Sequence, residues 1–576
     1  MLTDGAPSSL RNRAKWAVAA LIGLVMLPDL VWLYVGHGPE TWVAGLIVPA
    51  LLLLILFAVL GDLLWLACLL LTPFAALAPV EAFYIGTYLQ PSDAGILASI
   101  VATNPREATE YLGHALPPIL LCMAAGLLLA GLATWWSWRS RIVWHHRIRA
   151  WVVTGAITIP IAVLVVSFAS ATGSPRARWN DAILSVVSLG DPIALGYPFG
   201  LFPRVAEYRR EWRKMRQESV QLDAFRFHAH RLDPRHGRQV YVLVIGESSR
   251  RDHWQLFGYP RVTNPELGKI KNLIPIPDMV ASWSASIMAI PMVITRKPAA
   301  HISLAWNEPS ILRAMSEAGF DTYWISNQLA IGDFDSPVSV YAYEARHVEF
   351  LNHASWTSPG SYDEVLLQPL RDALQDSRRD LFIVLHMMGS HGGYDFRYPA
   401  AFKHFRPVQS DLGGTALPYD RIRNSYDNTI VYTDHVLAEV IGILRRSDAI
   451  SALFYESDHG EDLPTAACAL RGHGNATRYD FQIPALFWYS DAYAQAFPQR
   501  LSGLRGNAAQ RVLSHDTFES MIDMAGVDFP GHDPSFSLFS QQWRYRPRVI
   551  SGFWKVDIDD AIFGKHCEIV MPRHGE

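Results

Sequence analysis

Three apolar runs in this chain end in side chains that bind metals. QVYVLVIG runs into Glu247, Ser248 and Ser249; LFIVLH runs into MMGSHGG, which carries His391; ALFYES runs into Asp458 and His459, with Gly460, Glu461 and Asp462 behind them. Runs rich in β-branched and aromatic residues read as strands, and ligands of open α/β sheets gather at the carboxyl ends of strands. One sheet edge would then receive a carboxylate, an imidazole and a carboxylate-imidazole pair, a donor set that suits a borderline cation such as Zn2+. Glycines beside these residues let backbone approach a ligand closely. Taken singly, each is an ordinary loop residue: a solvated glutamate, a histidine satisfied within its loop, a structural Asp-His pair. Their joint occurrence points to a metal centre.

A metal centre also needs a reacting group. MVASWSASIMAIP offers Ser282, Ser284 and Ser286 ahead of an apolar run closed by Pro291. Small residues before a helical run suggest a loop entering a helix, where backbone N–H groups favour an anionic oxygen. A serine there, beside Zn2+, becomes a nucleophile at neutral pH; the alternative is an N-cap serine. Spacing alone does not choose among the three.

The elements that must position these residues occupy the C-terminal part, from about residue 238. Strand-like runs alternate there with helical patterns near 308–318, 361–375 and 419–446, which predicts a parallel sheet covered on both faces. Residues 1–171 differ: apolar runs at 16–36, 42–60, 63–84, 116–136 and 150–170 each approach the ~20 residues of a membrane span. Only Gly61 and Asp62 separate the second run from the third, so four spans are the alternative count. Arg11, Arg13 and Lys15 precede the first run, and Arg139, Arg141, Arg147 and Arg149 lie between the last two, whereas the 89–114 loop holds Arg106 alone. The positive-inside rule puts the first two groups in the cytoplasm and the loop outside, which five spans satisfy and four do not. Five crossings deliver the C-terminal domain to the outer face. No cleavable leader is read, because further spans follow the first apolar run.

Between these parts, residues 172–237 read as bridging helices and linker. The Arg-rich stretch 203–216 suits a helix lying on lipid headgroups, with a solvated linker helix as the alternative. A net charge of −4 carries no nucleic-acid footprint. Of four cysteines, Cys68 and Cys122 fall in apolar runs, so Cys468 and Cys567 allow at most one disulfide in the C-terminal domain.

VLVIGESSRRDHWQLFGYPRVTNPEL resembles the opening signature of the bacterial phosphoethanolamine transferases, and the resemblance continues through EPSILRAMSEAGFDTYWISNQ, LHMMGSHGGYDFRYP, SYDNTIVYTD, SDHGED and GHDPS. Among relatives the wording is nearest the branch that modifies the core heptose of lipopolysaccharide. The resemblance implies an N-terminal five-helix transmembrane domain and a C-terminal α/β hydrolase domain of alkaline-phosphatase-like fold. It implies Glu247, Asp458 and His459 as zinc ligands, and it aligns Ser286, 39 residues after Glu247, with the family's threonine nucleophile and fourth ligand. Serine keeps the hydroxyl but loses the β-branch that restricts χ1. His391 and His473 match two histidines that orient phosphate or hold a second metal. Thr103, Glu107 and Asn327 match contacts to the donor headgroup, although Ser99 stands where the family has Asn.

The implied chemistry is transfer of phosphoethanolamine from phosphatidylethanolamine to lipopolysaccharide through a phosphoserine at Ser286, by an enzyme of the bacterial inner membrane with its catalytic domain in the periplasm. Two readings compete with it: a metal-dependent phosphodiesterase or sulfatase-like hydrolase, and a non-catalytic membrane lipid receptor.

Overall fold

The computed structural model describes residues 7–35, 39–88, 91–93, 96–97, 115–172, 174–187, 191–232, 237–301, 306–332, 335–352, 362–411, 418–550, 555–565 and 567–573. The chain forms two compact units, Met1–Arg209 and Arg210–Glu576.

In the first unit, helices Leu116–Ser140 and Ile148–Ser170 are each long and apolar enough to cross a membrane. Two further pairs, Ser8–Val25 with Leu27–Val35 and Leu64–Leu70 with Thr72–Thr87, pass the same test together but bend by 44° and 43°. A shorter apolar helix covers Val43–Val59. By length and composition alone, the described residues thus hold two helices able to cross a membrane, or up to four if each bent pair crosses as one, beside the shorter Val43–Val59. Both bends have one cause. Pro28 and Pro73 each sit second in the following helix, and proline removes an N–H and disfavours α geometry in the residue before it. Small residues let the helices close up: a Cβ on Gly126 would stand 2.4 Å from the Ala75 carbonyl oxygen.

The second unit is built on an eight-stranded sheet. Its strands are β1 (Gln239–Gly246), β2 (Leu273–Val280), β3 (Asp321–Ser326), β4 (His347–Phe350), β5 (Leu381–His386), β6 (Ile450–Ser457), β7 (Gln482–Tyr489) and β8 (Val512–Leu513), in the order β4-β3-β5-β1-β6-β7-β2-β8. The sequence pattern predicted a parallel sheet; the sheet is mixed, because β7 runs antiparallel to both β6 and β2. Parallel neighbours need a crossover that spans the sheet. Between β6 and β7 there is instead a loop with one short helix, Arg478–Phe481, so the chain re-enters from the edge it left. The 458–481 segment therefore stays on one edge.

β5, β1 and β6 lie side by side, with Ile245 opposite His386 and Gly246 opposite Ser457. Glu247, the loop after His386, and Asp458 consequently leave the sheet at one level. Leu437, Ile441 and Leu444 of helix Pro418–Arg446 pack in the same buried cluster as Val240, Val242 and Val244 of β1. Cys468, on the 458–481 segment, is disulfide-bonded to Cys567.

Candidate metal centre

Ser286 opens helix Ser286–Ile294, after extended backbone at Ala285. Its Oγ lies 3.0 Å from Glu247 Oε2 and 3.1 Å from His459 Nε2. His459 Nε2 is in turn 3.4 Å from Glu247 Oε1 and 3.5 Å from Asp458 Oδ2. The tautomer follows from the other ring nitrogen: His459 Nδ1 sits 2.7 Å from the Gly460 carbonyl oxygen, which can only accept, so Nδ1 carries the proton and Nε2 presents its lone pair. Glu247, Asp458 and His459 are buried, while Ser286 is half-buried.

Whether these residues suit a cation is decided by Asp458. Its Oδ1 accepts the N–H groups of Ser248 and His459, but its buried Oδ2 has no hydrogen-bond partner. A buried orphan carboxylate oxygen is costly. Burial, and then the negative charge of Asp458, push Glu247 well above the usual carboxylate range. A cation between the two removes both penalties, and two carboxylates, an imidazole and a hydroxyl fit Zn2+. His473 joins the group: Glu247, His459 and His473 can each offer a ligand atom within 4.8 Å of the others. Glu461 accepts from His473 Nδ1 at 3.3 Å and from the Tyr394 hydroxyl at 2.7 Å.

His391 stands beside this group, its ring centroid 5.9 Å from that of His473. Burial first, and then the charge of Arg397, hold its imidazole well below the usual range. Asn327 lies elsewhere. It is fully buried, and its Nδ2 donates to Asp363 at 2.9 Å, behind the loop that carries His391. Thr103 and Glu107 lie outside the described residues.

Several residues that shape the centre carried no sequence assignment. Ser248 adopts φ 54°, a left-handed conformation rare outside glycine, and donates from Oγ to Glu247 Oε1 at 2.6 Å. The Tyr426 hydroxyl donates to its carbonyl at 2.7 Å. Asp363, Arg397 and Glu461 are also buried supports. Glu461 was visible within SDHGED and Arg397 within GGYDFRYP, neither with a role assigned; Asp363 lies in a stretch with no motif of its own.

Comparisons with known proteins cover both units. The Sulfatase family model matches residues 239–527, just over half of the chain, and the phosphoethanolamine transferase EptA/EptB model matches 48–185. Phosphoethanolamine transferase EptC of Escherichia coli O18:K1:H7 is 27% identical over 529 residues, covering 88% of this chain and 87% of that protein. Phosphoethanolamine transferase EptA of Escherichia coli K12 is 27% identical over 482 residues, covering 81% and 84%. The crystal structure of the C-terminal periplasmic domain of Escherichia coli EptC in complex with Zn superposes with a TM-score of 0.52 at 27% identity, covering 59% of this chain and 97% of that domain. The catalytic unit accordingly has the alkaline-phosphatase and sulfatase type of fold. This chain belongs to the Sulfatase family, and over both its apolar helices and its second unit it is similar to phosphoethanolamine transferases.

Proposed function

We propose that this chain transfers phosphoethanolamine from phosphatidylethanolamine to lipopolysaccharide through a covalent intermediate on Ser286. The observation that carries the reading is the place of the Ser286 Oγ, 3.0 Å from Glu247 and 3.1 Å from His459 at the start of a helix whose open N–H groups favour a phosphoryl oxygen. Zn2+ held by Glu247, Ser286, Asp458 and His459 would acidify the hydroxyl and neutralise charge on the phosphoryl oxygens. The Ser286 oxygen bonds to phosphorus as the bond from phosphorus to the diacylglycerol oxygen breaks, and diacylglycerol leaves with a proton. An acceptor oxygen on lipopolysaccharide then attacks in line, and the Ser286 oxygen departs, regenerating the enzyme. His391, beside His473, would orient the phosphoryl group. Glu461 holds His473 by Nδ1 and leaves Nε2 for the phosphoryl group.

The donor is a bilayer lipid, which accounts for apolar helices in the same chain. We read 1–171 as five spans of the inner membrane, 172–237 as bridging helices and 238–576 as a periplasmic catalytic domain. The charge distribution of the N-terminal part supports this placement, and the Cys468–Cys567 disulfide supports an oxidising compartment.

For the acceptor we assign an inner-core heptose, with lipid A phosphate next. Mild acid releases lipid A from core oligosaccharide. Lipopolysaccharide from cells expressing the chain is expected to carry the added phosphoethanolamine on the core fraction by mass spectrometry. Retention of the added mass on lipid A would move the acceptor and leave the transferase reading standing.

A further inference from the structure

The loop Met387–Gly392 touches the metal centre twice. At one end Gly389, at φ +51°, packs on Glu247 so closely that a Cβ there would stand 2.7 Å from the Glu247 carbonyl oxygen, and the Ser390 N–H donates to that same oxygen at 2.9 Å. At the other end the loop presents His391. Its own fixing points lie below it. Asp363, 2% exposed at the start of the turn Asp363–Leu366, accepts the Met388 N–H at 2.7 Å on Oδ1 and the Gly389 N–H at 2.8 Å on Oδ2. Asn327 Nδ2 donates to the same Oδ1 at 2.9 Å. Arg397 secures the far end by donating to the His391 and Gly392 carbonyls.

We propose that Asp363, aligned by Asn327, is a positioning residue for the transfer reaction: through the Met388 and Gly389 amides it sets the loop that fixes Glu247 at the metal centre and His391 beside it. Asp363 bonds to the loop amides and to Asn327, not to the ligand side chains. Asn327 therefore acts behind the loop and not on the donor headgroup. The inference rests on the transferase reading for its kinetic consequence and on the zinc site alone for its binding consequence.

Asp363→Asn in the full-length protein keeps side-chain volume but turns an N–H toward one of three donors. Zinc affinity, measured with a competing chromophoric chelator, is expected to fall about 10–100-fold. At saturating zinc, kcat should fall by a similar factor while KM for phosphatidylethanolamine stays within about twofold. Asp434→Asn is the control for lost stability alone, because buried Asp434 likewise accepts two amides, those of Glu266 at 2.8 Å and Leu267 at 3.1 Å, in a different loop. It should lower Tm comparably and leave zinc affinity and kcat unchanged. If Asp363→Asn does not fold, Asn327→Ala, which removes one of the three donors, should shift zinc affinity and kcat in the same direction by less. Wild-type zinc affinity and kcat in the foldable variant, with only Tm lowered, would overturn the proposal. A wild-type enzyme that transfers nothing would refute the transferase reading, and the zinc comparison would still decide the role of Asp363.

Discussion

Ser286 separates holding a metal from doing chemistry. Replacing it with alanine leaves Glu247, Asp458 and His459 in place, and its half-buried side chain contributes little packing. Ser286→Ala is therefore expected to keep most of its zinc while transfer falls at least roughly 10^3-fold. Asp458→Ala and His459→Ala should lose the zinc itself, with activity following. Elemental analysis of the purified full-length variants beside their transfer rates tests this, and equal zinc loss in all three would make Ser286 a mere ligand. At this scale the sequence was legible where strand ends bring side chains together, as for Glu247, Asp458 and His459. It was not legible among the three serines, since the choice depends on where the chain turns. Ser282 Oγ points to Ser514 Oγ at 2.9 Å, and only Ser286 reaches Glu247 and His459. Asp363 was beyond reach because it meets the loop through tertiary packing, with no local pattern to mark it.

Among the elements, the corner formed by helix Thr517–Ala525 and the short strand Val527–Asp528 holds a charge cluster around His532 of the GHDPS motif. His532 Nε2 lies 3.3 Å from Asp523 and 3.5 Å from Glu519, and its Nδ1 lies 3.1 Å from Asp528; Arg296 donates to the neighbouring Gly531 carbonyl. Burial alone would lower the pKa of His532, but the hydrogen bond and charge of Asp523, with Glu519 and Asp528, outweigh it and raise the value to about 9. A folded-state value above the unfolded one, near 6.5, means that the stabilisation is full below about pH 6.5 and lost as pH rises through about 9. His532→Gln should therefore lower Tm most at pH 6 and least at pH 10. A Tm deficit independent of pH would show that the imidazole contributes packing and no charge. The sheet teaches a related lesson about reading elements from sequence. Seven of its strands share one direction, but β7 reverses because the loop before it never crosses the sheet, and a loop's route leaves no periodicity.

At the scale of the whole molecule, the chain joins apolar helices to a unit in which Ser286, Glu247, Asp458 and His459 lie together at one sheet edge. The five apolar runs read from the sequence fall on the helices described, yet the bends at Pro28 and Pro73 make length and composition alone insufficient to count crossings. Transfer through a phosphoserine requires that a lipid donor load Ser286 before any acceptor is present. Purified full-length protein with zinc, incubated with phosphatidylethanolamine in detergent micelles without lipopolysaccharide and then digested for peptide mass spectrometry, tests that requirement most directly. One phosphoethanolamine is expected on the peptide containing Ser286, released when lipopolysaccharide is added and missing from Ser286→Ala. Diacylglycerol and free phosphoethanolamine formed with Ser286 never modified, or an adduct on another residue, would contradict it.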